Sequence, residues 1–421
     1  MADMDVCIIG GGAAGMMCAV MAARKGLSVV VAEKNEKLGK KLYITGKGRC
    51  NFTNACDFDT LQANVITNPK FLYGAFHDLS PEACISFFEE LGLRSKTERG
   101  GRVFPVSDRS SDVIKALERE MRRLGVEIRL NTAVKELLVK ESDTGRICEG
   151  VITKDGGIIS SSSTVIATGG LSYPATGSDG DGFAFARQAG VEVTDLRPGL
   201  VPLNVKESFA KEMQGLSLKN IQVGFYKEPG GKALFKSFGE MLFTHFGVSG
   251  PVILSASSVL GDEIRKNEIL LEIDFKPALT AEQLDKRLIR ELNDGGKKSF
   301  KNILKNLLPS SAVPVFAGLV TGDPDKPCSE VGKKERTALR KLLKGFRLTV
   351  TGLRGFEEAV ITRGGVSVKE LDPKTMGAKK VRGLYFAGEV IDADALTGGF
   401  NLQIAWSTAA RCAKSLATAL R

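Results

Sequence analysis

Asp5-Val6-Cys7-Ile8-Ile9-Gly10-Gly11-Gly12-Ala13-Ala14-Gly15 is the stretch that decides the fold of this chain. Val6 to Ile9 is a short apolar run, the pattern of a fully buried parallel strand. The glycines at 10, 12 and 15 then spell G-x-G-x-x-G, and Ala13 to Lys25 reads as a helix rich in Ala and Met. Each glycine has its own reason: Gly10 allows a tight turn, Gly12 lets the backbone approach a pyrophosphate, and Gly15 lets the helix pack close on the strand. Phosphates would sit at the helix N-terminus, over Ala13 and Ala14, where unpaired N–H groups and the dipole favour an anion. A second apolar run, Leu27 to Ala32, ends at Glu33, 18 positions after Gly15. An acid there suits the hydroxyls of an adenosine ribose and disfavours a 2′-phosphate. Strand, turn, helix, strand and acid in register predict dinucleotide binding.

Working outward, Lys34 follows the acid, and Glu36 to Asn54 is a basic, Gly-rich loop leaving the carboxyl end of the sheet, where ligands bind in doubly wound folds. Lys40, Lys41, Lys47 and Arg49 are placed to neutralise a pyrophosphate or to hold an anionic reduced ring. The tetrapeptide Gly46-Lys47-Gly48-Arg49 does not meet the P-loop pattern. Cys50 and Cys56 are spaced C-x5-C, and residues six apart face different sides of a helix, so a redox dithiol is not expected. Helices are predicted at Pro81 to Gly92 and Ser111 to Gly125, and a strand at Val126 to Val139. A hairpin, Arg146 to Thr153 with Gly157 to Ser160, leads to the strand Thr164 to Gly170, which carries Thr168 and Gly169 to the ligand edge.

Beyond about Asp195 the pattern changes to alternating strands: Leu200 to Val205, Leu216 to Tyr226, Ala233 to Ser237, Val252 to Leu254 and Ile269 to Phe275. Amphipathic helices follow at Thr280 to Leu292, Ser299 to Leu308 and Lys333 to Leu343. The run Gly383 to Ala387 then reads as a buried strand ending at Gly388-Glu389, and Gly398-Gly399-Phe400-Asn401 opens a helix at Leu402 to Leu416. A helix N-terminus aimed at an isoalloxazine would stabilise the negative charge that appears on reduction. The first Gly-rich end therefore holds the pyrophosphate of FAD and the last one its ring. The expected fold is α/β: a Rossmann-like FAD-binding domain of the glutathione-reductase type, discontinuous over 1–195 and 351–421, with an inserted β-barrel and helical cap at 196–350.

Composition bounds the rest. The chain has 421 residues, 43% of them hydrophobic, and a net charge of +10. No apolar run reaches the ~18 residues of a membrane span, so no membrane association is expected, and the expected compartment is the cytoplasm. The eight Cys are scattered without C-x-x-C pairs, so no metal site or disulfide framework is predicted. No recognised nucleic-acid motif accompanies the basic surplus, which is read as solubility plus a phosphate-rich cofactor, and a small-molecule substrate is expected.

Five runs carry a resemblance to a known family: IIGGGAAG, KLGKKLYITGKGRCNFTN, LFTHFGVSGPVIL, EEAVITRGGVSVKEL and GLYFAGEVIDADALTGGFNLQIAW. In these the chain resembles the BaiN/YhiN group of bacterial FAD-dependent oxidoreductases. The resemblance implies non-covalent FAD, with Gly10 to Gly15 and Glu33 on the ADP half and Val134 beside the adenine. It also places Arg49, Cys50, Asn51, Gly388, Glu389, Asp392 and Gly399 to Leu402 along the diphosphate, ribityl chain and ring. The chain departs from the family pattern at Ala395, commonly Gly, and at Thr408-Ala409, commonly Ser-Gly. Family membership implies flavin redox chemistry without fixing the substrate, members being linked to enone reduction and to amine oxidation; the reaction expected here takes NAD(P)H as transient reductant and an enone or steroid-like acceptor. An amine oxidase, a tRNA-modifying enzyme and a non-catalytic flavin sensor are the alternatives. His245, in Phe243-Thr244-His245-Phe246-Gly247, is the expected catalytic acid, with Arg363 and Tyr43 as weaker candidates for substrate contact.

Overall fold

The computed structural model describes residues 3–143 and 145–420. The chain divides into two compact units, Met1–Pro198 with Phe356–Arg421, and Gly199–Gly355. The divisions expected from sequence fall at 195/196 and 350/351.

The first unit is built on strands β1 (Met4–Ile9), β2 (Val29–Ala32), β3 (Glu127–Arg129), β4 (Val134–Ser142), β5 (Gly145–Thr153) and β6 (Ile158–Ile166). A parallel core runs β3–β2–β1–β6 and continues into the strand Leu384–Phe386, which pairs with the end of β6. Val6, Cys7 and Ile8 are fully buried, as a strand covered on both faces requires. Helix α1 (Ala13–Ala23) lies along the C-terminal helix Phe400–Ala419. Both are rich in Ala, which permits the close approach. The hairpin and the strand after it, separate in the sequence pattern, form one strand: β6 pairs antiparallel with β5 through Ile158–Ser160 and parallel with β1 through Ser161–Ile166.

The single strand expected over 126–139 is broken. Asn131 takes a left-handed conformation, φ 52°, and donates its N–H to Asn35 O, while Thr132 N–H donates to Glu33 O. These bonds bend the chain away from β3 at the carboxyl edge of the sheet.

The second unit holds a closed antiparallel barrel of six strands, in the order Leu203–Val205, Gly247–Ser249, Ala233–Thr244, Ser217–Tyr226, Ile269–Asp274 and Phe346–Leu353. One expectation fails here. Val252 to Leu254 is no strand but part of the helix Pro251–Lys266, which buries Val252, Ile253, Ala256, Leu260 and Ile264 at helical spacing. Gly250 at φ 96° turns the chain, and Pro251 starts the helix where its missing N–H costs nothing. Four helices follow the barrel strand Ile269–Asp274: Ala281–Gly295, Phe300–Leu304, Val313–Thr321 and Lys333–Lys344. Phe316 stacks on Phe346 at 5.1 Å and ties these helices to the barrel.

Candidate functional site

A cleft of about 1260 Å³, counted with its open mouth, lies at the carboxyl edge of the parallel sheet in the first unit. Its walls come from both ends of the sequence: the turn after β1, the loop after β2, Thr132, the end of β6, Val360 to Thr362, and the start of the C-terminal helix.

The phosphate turn has the geometry its glycines demand. A Cβ on Gly15 would lie 1.8 Å from Gly10 O, so the helix can sit this close to the strand only without one. A Cβ on Gly12 would meet no protein atom within 4 Å, leaving that backbone open toward a ligand. Glu33 is buried at the tip of β2, accepting the Gly11 N–H at 2.7 Å and the Asn35 N–H at 2.8 Å. Its two oxygens offer about four acceptor sites, which leaves capacity for a ribose hydroxyl.

Of the predicted residues, Gly10, Gly12, Ala13, Ala14, Glu33, Lys34, Lys41, Thr168, Gly169, Glu389, Asn401 and Leu402 all line this cleft. Lys34 is held by Asp179 and, at 2.7 Å, by Asp181. Burial pulls its ammonium down, but the bonds to both acids outweigh that and raise it. Lys41 pairs with Glu389 at 2.6 Å across 348 positions, and Glu389 also accepts from Ser172 and from the Thr362 N–H. Asn401 turns its amide onto Ala395, exchanging bonds of 2.9 and 2.8 Å with that residue's backbone.

The other predicted residues lie outside the lining. Arg49 stacks 4.2 Å over Phe104 and binds Glu98 and Asp108, whose hydrogen bonds hold its guanidinium up. Cys50 is fully buried at φ 58°, and burial pushes its thiol up to about 12. Val134 is buried at the start of β4, two residues past Thr132. Gly388 packs against Ala14 and donates its N–H to Thr408 Oγ1 at 2.9 Å. Asp392 is raised by burial against bonds to Thr194 and the charge of Arg363. Gly399 caps the C-terminal helix beneath Thr53 O, and Phe400 is buried behind it. His245 stands exposed in the second unit, between two barrel strands, edge-on to Phe246 at 4.8 Å.

Asp394 is a site residue that the sequence did not single out, although the Asp-Ala-Asp repeat at 392–394 was its signal. It is 2% exposed, lines the cleft and faces Arg363 at 3.5 Å. Burial pushes its carboxyl up, against Thr67 and Arg363. Ser172, Thr362 and Asp181 were also missed, since nothing local marks a side chain whose partner is distant in sequence.

The walls fit FAD. Thr168 Oγ1 and Asn51 Oδ1 are buried with no hydrogen-bond partner, the first on the cleft wall and the second beside Gly399. An orphaned buried polar atom costs about 1–3 kcal/mol, and a polar cofactor removes that cost. The C-terminal helix is fixed by its neighbours: fully buried Trp406 donates to Phe52 O at 2.8 Å, and Gln403 donates to Leu79 O and Ser407. Its N-terminal N–H groups, which have no partners within the helix, therefore have a set direction.

Comparison with known proteins agrees. The family model described as HI0933-like protein Rossmann domain matches residues 4–415. Over 405 residues the chain is 32% identical to the 3-dehydro-bile acid delta(4,6)-reductase of Clostridium scindens, covering 95% of this chain and 96% of that protein. Over 422 residues it is 33% identical to the ribosomal RNA dihydrouridine synthase of Escherichia coli, covering 100% and 99%. Among solved structures, the 3-ketosteroid delta1-dehydrogenase of Sterolibacterium denitrificans matches with a TM-score of 0.56 over 99% of both chains, at 13% identity, a likeness of fold alone. Fold and cleft together define an FAD-dependent oxidoreductase. The chain belongs to the HI0933-like family, the BaiN/YhiN group of bacterial flavoproteins. Among the described residues, no helix is long and apolar enough to cross a membrane.

Proposed function

We propose that this oxidoreductase reduces a carbon–carbon double bond conjugated to a carbonyl, with NAD(P)H as the reductant and a small enone, steroid-like in shape, as the acceptor. One observation carries the reading. Two full-length relatives with unlike substrates have names that describe the same bond change. A delta(4,6) double bond in a 3-dehydro bile acid is conjugated to the 3-ketone, and the bond lost when uridine becomes dihydrouridine is conjugated to the ring carbonyl.

Bound FAD supplies the hydride-transfer chemistry. The residues of this chain do the rest. Glu33 accepts from the adenosine ribose, and the N-terminal N–H groups of α1 hold the pyrophosphate. The N-terminus of the helix Phe400–Ala419 favours negative charge at the ring. Addition of hydride to the β-carbon leaves the α-carbon in need of a proton, which a protein acid or water supplies. A second reading, with uridine in RNA as the acceptor, is supported by the likeness to a relative named as a ribosomal RNA dihydrouridine synthase.

Anaerobic stopped-flow at the flavin absorbance tests both. FAD-loaded protein is mixed with NADH or NADPH, then with a 4-en-3-one steroid, a uridine-bearing RNA, an amine or air. Bleaching by nucleotide and recovery with the steroid supports the first reading, and recovery with RNA alone supports the second. Bleaching by an amine with recovery in air makes the protein an oxidase. No bleaching by any donor makes it a flavin sensor, and either result removes both readings.

A further inference from the structure

A second concavity lies in the first unit and shares no residue with the cofactor cleft. It occupies about 820 Å³ with its open mouth, between the turn after helix Pro81–Glu90 and the outer edge of helix Ser110–Arg123. The inner face of the latter helix buries Val113, Leu117 and Met121. Lys115 and Arg119, one turn apart, therefore share an edge that faces outward. Arg119 is fixed there by donating to Leu91 O in the turn, a bond to a neutral acceptor that leaves its charge uncompensated.

The charges around this groove are sorted in an informative way. Nearby cations are paired with acids: Arg49 and Lys96 with Asp108, Arg122 with Glu118, Arg24 and Arg123 with Glu120. Arg94 and Lys115 make no ion pair among the described residues, and with Arg119 they converge on the groove against one carboxylate, Asp112. Among the lining residues Val106, 47% exposed, offers apolar surface, and Leu93 is buried beside the groove. An exposed apolar side chain beside three cations matches a flat base joined to a phosphate.

We propose that this groove binds a nucleotide phosphate, with the base on Val106 and the phosphate between Arg94, Lys115 and Arg119. The site is independent of FAD and of the acceptor reduced in the cleft. The phosphate belongs either to a free nucleotide or to one link of a single RNA strand, and the two sources give different results in one experiment.

The experiment is calorimetric titration of FAD-loaded protein with 5′-AMP and, separately, with a short oligouridylate, at low salt. The same titrations are run on the double variant Arg94→Glu/Lys115→Glu. Both positions are exposed, and flavin content and visible spectrum report that the fold is kept. The wild type binds at least one probe, and the variant binds it at least about tenfold more weakly. The salt slope falls by about one for each phosphate that the variant no longer neutralises. A loss confined to 5′-AMP identifies a free nucleotide, and a loss confined to the oligouridylate identifies a strand. Wild-type protein that binds neither probe, or a flavin-loaded variant that binds both unchanged, overturns the proposal.

Discussion

Glu120 links the helix behind the phosphate turn to the rest of its unit, and its loss has a worked cost. The carboxylate is 6% exposed and binds Arg123 at 2.7 Å and Arg24, at the C-cap of α1, at 2.9 Å. The hydrogen bond from Arg123 outweighs the cost of burial and, with that from Arg24, lowers its pKa from 4.5 to about 2. A group whose folded pKa is depressed stabilises the protein above its unfolded pKa and loses that stability as pH falls through the folded value. The full shift corresponds to a ceiling of about 3.4 kcal/mol, at about 1.36 kcal/mol per pH unit. Arg123 is 65% exposed, so screening reduces the figure to about 1–2 kcal/mol. Glu120→Gln should therefore destabilise the FAD-free protein by about 1–2 kcal/mol at pH 7 in urea unfolding. The gap to wild type should shrink from about pH 4.5 downward and close near pH 2. A gap that stays constant from pH 7 to pH 3, or a variant as stable as wild type at pH 7, would refute this account of how α1 is held.

Three further outcomes follow from the cleft and its surroundings. Gly15→Ala places a methyl 1.8 Å from Gly10 O, so the purified variant should carry no flavin, or fail to fold, as read from absorbance and circular dichroism. Glu33→Ala removes the ribose acceptor and orphans the Gly11 N–H, and it should weaken FAD binding by about 10- to 100-fold in flavin fluorescence titration. Burial raises the thiols of Cys7, Cys50 and Cys84, and burial together with Asp57 raises that of Cys56 as well, so access decides which of them reacts. Cys56 is the half-buried thiol of the eight, so native protein at pH 8 should react with an aromatic disulfide reagent at Cys56 alone, and Cys56→Ser should abolish the reaction.

The parts of the fold that could be read from sequence are those where one local rule determined the geometry. The turn from β1 to α1 is legible because three glycines at fixed spacing have few other uses. The barrel is legible from alternation in strands such as Ile269–Asp274, whose residues alternate between buried and half-buried. The helix Pro251–Lys266 is not, because its first turn shows three apolar residues in a row, a pattern shared by strands and buried helices. Its Pro at the start and Arg265-Lys266 at the end are the better signals. The helix Val313–Thr321 escapes because Pro314 looks like a breaker, although Pro is allowed in a first turn. The cleft's ion pairs are beyond local reading. Lys34 with Asp181 and Lys41 with Glu389 bridge 147 and 348 positions and exist only once the sheet has brought its loops to one edge.

The two relatives also bear on where selectivity resides. Both align with 95% or more of this chain at nearly equal identity, yet one name specifies a bile acid and the other ribosomal RNA. A cleft tailored to FAD cannot itself choose between acceptors so different in size and charge, because the cofactor's demands on Gly12, Glu33 and Thr168 are the same for both. The bond whose reduction both names describe is the common element, and polarising its carbonyl needs only a donor near the ring. Selection between a compact apolar acceptor and a polyanion must come from groups that hold no cofactor atom.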